Sequence, residues 1–136
     1  MGWVNRRAVA VFTGSRHRRT TDDWRAVRFV FARLAAGTLI IHGGAPGIDT
    51  IVNDQAVDGG FVIAQFPYVD AMGPKGGPYR NHVMAEVAHT LGQAGHPVTV
   101  YAFPLAIRRA SPGTWGMIAR CKALGLTVVE NVPDES

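Results

Sequence analysis

The chain has 136 residues, 47% of them hydrophobic and 18% charged, with a formal net charge of +4 at pH 7. That length suits one domain with a genuine core, because a chain of this size buries roughly two thirds of the surface its unfolded form exposes. No apolar run reaches the ~20 residues of a membrane-spanning helix, and the single cysteine, Cys121, excludes an internal disulfide and a multi-thiolate zinc site within one chain.

Residues 1–7 carry charge, but Gly14, Ser15 and Arg16 interrupt the apolar run a secretory leader would need after them, so a cytoplasmic location is expected. The positive charge comes from twelve arginines against two lysines, and Arg16, Arg18, Arg19, Arg25, Arg28 and Arg33 crowd the first third. Arginine forks match phosphate and carboxylate. The bias therefore fits anion recognition, and it equally fits the codon usage of a GC-rich genome.

Apolar β-rich runs alternate with helical stretches, with Gly or Pro clusters between them and no internal repeat. The first strand is expected at 8–12. A helix should follow from Thr20 or Thr21, which are cap candidates with Asp22 and Asp23 in the first turn, and run to Ala36 with Gly37 as its stop. Trp24, Val27, Phe31 and Leu34 fall at helical spacing and read as its core face. The second strand is expected at 38–42, a helix from near Gly47 to Gly59 or Gly60, and the third strand at 61–66. Residues 67–77, rich in Gly and Pro, form an irregular stretch suited to a lid or an oligomer contact. A third helix should begin at Pro78, a favoured first-turn position for proline, and end around Gly92 or Gly95. The fourth strand is expected at 98–103, a loop at 104–112, a fourth helix at 113–124 and a fifth strand at 126–130. Strands joined by helices should lie parallel, with helices on both faces. The expected class is α/β: a Rossmann-like three-layer sandwich, one domain over 1–136, with a parallel sheet of five strands, with or without an additional short one.

In such sheets, ligands bind beyond the carboxyl ends of the strands, near the reversal of strand order. The first strand leads into Gly14, Ser15 and Arg16. The second leads into His42, Gly43 and Gly44, ahead of Ala45, Gly47 and Asp49, and the fourth ends at Phe103, before a loop reaching Gly113 and Thr114. Each turn leads towards a helix N-terminus, where unpaired amides and the helix dipole favour an anion. Glycine also admits a phosphate to backbone that a β-carbon would block. Singly, each turn is no more than a tight turn; together, the three read as a phosphate or ribose cradle. The common signatures are absent: the sequence has no GxGxxG after the first strand, no GxxxxGKS/T loop, no HExxH and no GxSxG.

Arg80, Asn81 and Met84 form an RNxxM pattern at the start of the third helix, where Arg80 and Met84 share a face continued by Val87, Ala88 and Leu91. A cation opening a buried face needs an anion, either a ligand phosphate or carboxylate or a salt bridge to Asp49 or Glu86. His82, Glu86 and His89 have spacing a metal could use but lie on the opposite, polar face, so they read as solvated side chains and neither metal nor cofactor is expected. Asp49 either compensates a helix dipole or hydrogen bonds a ribose hydroxyl. His42 is either a satisfied core histidine or a ligand contact, and Trp115 either packs or stacks on a base.

As a set, Gly14-Ser15-Arg16, HGGAPGID at 42 to 49, Arg80-Asn81 with Met84, and Gly113-Thr114 resemble the SLOG superfamily, over about residues 8 to 130. The likeness is nearest to a small family of unknown function that includes the YspA-like proteins. It extends more distantly to the "Lonely guy" phosphoribohydrolases and the DNA-processing protein of natural transformation. The resemblance to the phosphoribohydrolases matches Arg80 to an arginine implicated in cleaving the N-glycosidic bond of a nucleoside monophosphate. The glutamate that acts with it there would fall at position 117, which is Met117 here. Asp49 is then the remaining candidate acid beside Arg80. The DNA-processing relatives share a turn similar to GGAxGID and bind single-stranded DNA through basic residues. Arg16, Arg18 and Arg19 and a pI near 9.8 are compatible with such a path.

The resemblance implies binding of a nucleotide or nucleotide-derived molecule by a homodimer or higher oligomer. A nucleoside 5′-monophosphate phosphoribohydrolase and a single-stranded nucleic-acid binder are the alternatives.

Overall fold

The computed structural model describes residues 6–134. Residues 1–5 of the charged opening segment, and 135–136, lie outside the described residues.

Five strands, β1 (Val9–Gly14), β2 (Leu39–His42), β3 (Val62–Gln65), β4 (Val98–Phe103) and β5 (Thr127–Glu130), form one all-parallel sheet in the order β3-β2-β1-β4-β5. No further strand joins it among the described residues. The near-continuous apolar run of β1 is what a central parallel strand needs, because both of its faces are covered. Val9 and Val11 enter one buried cluster, while Ala10 and Phe12 enter another on the opposite face.

The helices are α1 (Thr21–Phe31), α2 (Ile48–Asp58), α3 (Gly76–Gln93) and α4 (Pro112–Ala123). Val27 and Phe31 of α1 and Ile48, Val52 and Ala56 of α2 pack on Ala10, Phe12 and Ile40. Met84, Ala85 and Ala88 of α3 and Met117 and Cys121 of α4 pack on Val9, Val11, Ile41 and Val100. The sheet is thus a middle layer between two helix pairs, a Rossmann-like arrangement. Burial pushes the Cys121 thiol up to about 11, so it fills space as an un-ionised group. Among the described residues no helix is long and apolar enough to cross a membrane.

The local differences from expectation have physical causes. Thr20 caps α1 in a capping box: its Oγ1 accepts from the Asp23 amide, and the Asp23 carboxylate accepts from the Thr20 amide. Asp23 also takes the Arg18 guanidinium, at 2.9 Å, and this draws position 23 inward. Trp24 is consequently 48% exposed rather than part of the core face. The helix stops at Phe31, short of Ala36, because the Arg33 and Leu34 amides bond to the carbonyls three residues back and tighten the chain into turns ahead of Gly37. Helix α3 starts at Gly76, with Pro78 inside its first turn, and α4 starts one position early, on Pro112. The irregular stretch 67–77 contains a short 3-10 turn, Asp70–Lys75, and the loop 104–112 contains another, Arg108–Ala110.

From β1 the chain steps outward to β2 and β3, then α3 carries it back past β1 to β4. Strand order therefore reverses between β1 and β4. The parting connections leave a crevice beyond their carboxyl ends, the place where ligands bind in open α/β sheets.

Candidate functional site

A cleft of about 480 Å³ occupies that crevice. From the end of β1 it is lined by Gly14, Ser15 and Arg16, and from the turn after β2 by Gly43, Gly44, Ala45 and Asp49. Helix α3 contributes Arg80, Asn81 and Met84, and the start of α4 contributes Gly113 and Thr114. The predicted turns and the RNxxM pattern, spread over a hundred positions of sequence, thus line one cavity.

Two glycines make the crowding possible. Gly47 has φ +84, and a β-carbon there would fall 2.4 Å from the Ser15 carbonyl oxygen, so only glycine lets the start of α2 close onto the turn after β1. The Ile48 amide then donates to that same carbonyl. A β-carbon on Gly43 would lie 2.3 Å from Nη1 of Arg80; its absence admits the guanidinium.

Arg80 donates from Nη1 to the carbonyls of Gly43 and Phe66, and from Nε to Oδ1 of Asn81. The Asn81 amide nitrogen donates to the Gly113 carbonyl, tying α3 to the start of α4. Among the described residues the ion pairs are Arg18–Asp23, Arg25–Asp22 and Lys122–Glu130. The salt bridge considered for Arg80, to Asp49 or Glu86, is therefore not made. Backbone oxygens hold the guanidinium in place without neutralising it. Burial pushes its pKa down, opposed by the charge of Asp49 and by Tyr68. Arg16 lines the same cleft on an exposed position.

Asp49 is 4% exposed. Its Oδ2 accepts from the Ala45 amide at 3.1 Å, and its Oδ1 has no partner among the described residues. Burial pushes its pKa up to about 6, opposed by the hydrogen bond from the Ala45 amide, by the charge of Arg80 and by the nearby Gly43 amide. A buried acceptor left unpaired is uncommon in folded proteins and calls for an explanation.

Three expected site residues stand behind the cavity rather than on it. The Gly44 amide donates to Nδ1 of His42, so the ring proton sits on Nε2 and faces Oδ1 of Asn53 at 2.9 Å. With both nitrogens engaged, His42 shapes the glycine turn from the core. Gly47 caps α2, and Phe103 is buried in the cluster under α1 and α2. Trp115 does not stack in the cleft: its Nε1 donates to the Leu105 carbonyl, and the Arg108 guanidinium lies 4.2 Å from its ring. His82 and Glu86 are exposed, with His82 beside Arg120 at 3.0 Å.

Arg18 is also removed from any surface path. It is 4% exposed, and besides Asp23 it donates to the Pro104 and Asn131 carbonyls and to Oδ1 of Asn131. Met117 is 1% exposed in the core between α4 and the sheet, so α4 brings no carboxylate to the cleft from that position.

Gln65, Pro67 and Tyr68 line the cleft without having been anticipated. Gln65 ends β3, so the carboxyl-edge rule that selected the other strand ends would have found it. Tyr68 reaches the cavity only through the course of residues 66–77, which no periodicity specifies.

The cleft is thus lined by two guanidiniums, one almost fully buried carboxylate, and amides of the first turn of α4, for which a helix has no internal acceptor. This set can hold an anion and, next to it, a hydrogen-bond donor. No family model matches the chain, and no curated protein matches it.

Proposed function

We propose that this domain binds a nucleotide or a nucleotide-derived molecule in the cleft between β1 and β4. The observation that carries the reading is the mismatch of unmet groups in one cavity. Among the described residues neither Arg80 nor Arg16 makes an ion pair, and Oδ1 of Asp49 has no hydrogen-bond donor. A sugar phosphate satisfies both: its phosphate takes the guanidiniums and the α4 amides, and a ribose hydroxyl donates to Asp49. The likeness of the glycine turns and the RNxxM helix to SLOG domains supports the same ligand class and a homo-oligomer.

A second reading makes the domain a phosphoribohydrolase. It is favoured by Asp49, an acid beside Arg80 whose raised pKa suits proton transfer near neutrality. Since position 117 supplies no carboxylate, Asp49 would have to act alone in stabilising the oxocarbenium-like centre.

Thermal shift of the purified protein against adenine, guanine and pyrimidine nucleotides, NAD, ADP-ribose, cyclic nucleotides and a short oligodeoxynucleotide tests the proposal. Chromatography of the same mixtures for released base tests the second reading. A nucleotide that raises Tm and is recovered intact supports the binder, and free base with ribose phosphate would establish the hydrolase. Stabilisation by the oligodeoxynucleotide alone would favour a single-strand binder. Arg80→Ala should abolish the shift given by nucleotides while retaining a cooperative melt.

A further inference from the structure

Tyr68 is the one large aromatic side chain of the irregular stretch 67–77 to line the cleft, and it remains 44% exposed there. Its ring is fixed from behind. A β-carbon on Gly76 would lie 2.8 Å from its Cε1, and one on Gly77 3.2 Å from its Cε2, so the two glycines opening α3 leave room for the ring to rest on the chain. Its hydroxyl donates to the Gly73 carbonyl. Both ends of the side chain are thereby tethered while much of the ring stays bare. An exposed tyrosine that served only to staple its loop would not need to line the cavity. One that is already ordered loses little rotamer freedom when something stacks on it.

Resting on the nucleotide reading, we propose that Tyr68 is the platform on which the ligand's aromatic base stacks. The cleft would then discriminate ligands by an aromatic ring as well as by an anion. Anion recognition falls to Arg16, Arg80 and the start of α4, and ring recognition to Tyr68, with the exposed amide of Gln65 at the end of β3 available to a base edge. Stacking on an aromatic side chain tolerates any base, because every base presents a π-face. Tyr68 thus sets a preference for nucleotides over sugar phosphates and leaves the choice among bases to polar groups.

The test is calorimetric titration of wild type, Tyr68→Phe, Tyr68→Leu and Tyr68→Ala with AMP, GMP, CMP and UMP, and with ribose 5-phosphate as the ring-free probe. Stacking of one base supports a loss of about tenfold or more in nucleotide affinity for Tyr68→Ala and Tyr68→Leu. Tyr68→Phe, which keeps the ring but loses the tether to Gly73, should lose less nucleotide affinity than either, and ribose 5-phosphate should bind all four proteins alike. The leucine variant keeps the bulk over Gly76 and Gly77, so the loss can be read even if the alanine variant folds poorly. Equal weakening of nucleotides and ribose 5-phosphate, or nucleotide affinities no greater than that of ribose 5-phosphate in wild type, would overturn the platform and leave the anion site standing. Wild type that binds none of the five compounds, nor NAD, ADP-ribose or a cyclic nucleotide, would overturn the nucleotide reading itself, and the platform with it.

Discussion

Asp49 places a carboxylate where burial works against its charge, and this has a measurable signature. Its pKa is raised from an ordinary 3.8 to about 6, chiefly by desolvation. Between those two values the folded state holds more protons than the unfolded chain, so this group's contribution to stability falls as pH rises through the window and is constant above it. Asp49→Asn should remove that slope. The variant should gain about 1–3 kcal/mol relative to wild type at neutral pH, and the difference should shrink towards zero near pH 4. Urea denaturation of both proteins across that range measures it. A constant difference at all pH values would show that Asp49 is not held against its charge. The comparison isolates Asp49, because Asp23 titrates identically in both proteins. Asp23 runs the other way: burial would raise its pKa, but hydrogen bonds from Thr20 and Arg18 outweigh that and hold it below the usual range. A destabilised carboxylate inside a cleft fits the role proposed for Asp49, since stability is commonly given up for activity at functional positions. The sequence located Asp49 through its place after the glycines, but not its orphan oxygen, which depends on the turn geometry around Ala45.

At the scale of elements, the start of α1 shows how far local pattern reaches. The cap at Thr20 and the acids of the first turn were readable from residue type alone. The inward turn of Asp23 and the exposure of Trp24 were not, because both depend on Arg18, which bridges α1 to residues 104 and 131 across the sheet. Arginine in a run of basic residues looked like surface charge, and its partners lie far away in sequence. The side chains of this pair are 5% and 10% exposed, and breaking a buried pair leaves the surviving charge unpaired. Arg18→Ala should therefore cost about 3–5 kcal/mol of folding stability, read as a lower denaturation midpoint. A cost below about 1 kcal/mol would place the pair in the class of surface bridges. The RNxxM helix was legible for a comparable reason in reverse: Arg80 and Met84 are one turn apart, so their shared face follows from helix geometry. That Arg80 would rest on the carbonyls of Gly43 and Phe66, and not on an acid, needed the fold.

For the whole molecule, alternation of β-rich and helical runs was enough to specify a parallel sheet with helices on both faces, and every strand and helix expected is present. The strand order β3-β2-β1-β4-β5 then determines where the cavity lies, because β1 and β4 send their connections in opposite directions. The cleft's rear wall, built from strand ends and helix starts, was accordingly readable in advance. Its remaining wall, including Tyr68 and Pro67, belongs to a segment without periodicity and was not. The central claim is that this cleft recognises a phosphate attached to a nucleoside. The most direct measurement is calorimetric titration of wild type and Arg80→Ala with a nucleoside monophosphate and with the same nucleoside lacking the phosphate. The account predicts that wild type binds the monophosphate, that the free nucleoside binds at least about tenfold more weakly, as loss of a charge-assisted contact implies, and that Arg80→Ala reduces the monophosphate to the level of the nucleoside. Equal affinity for the two compounds, or none for either in a folded protein, would contradict it.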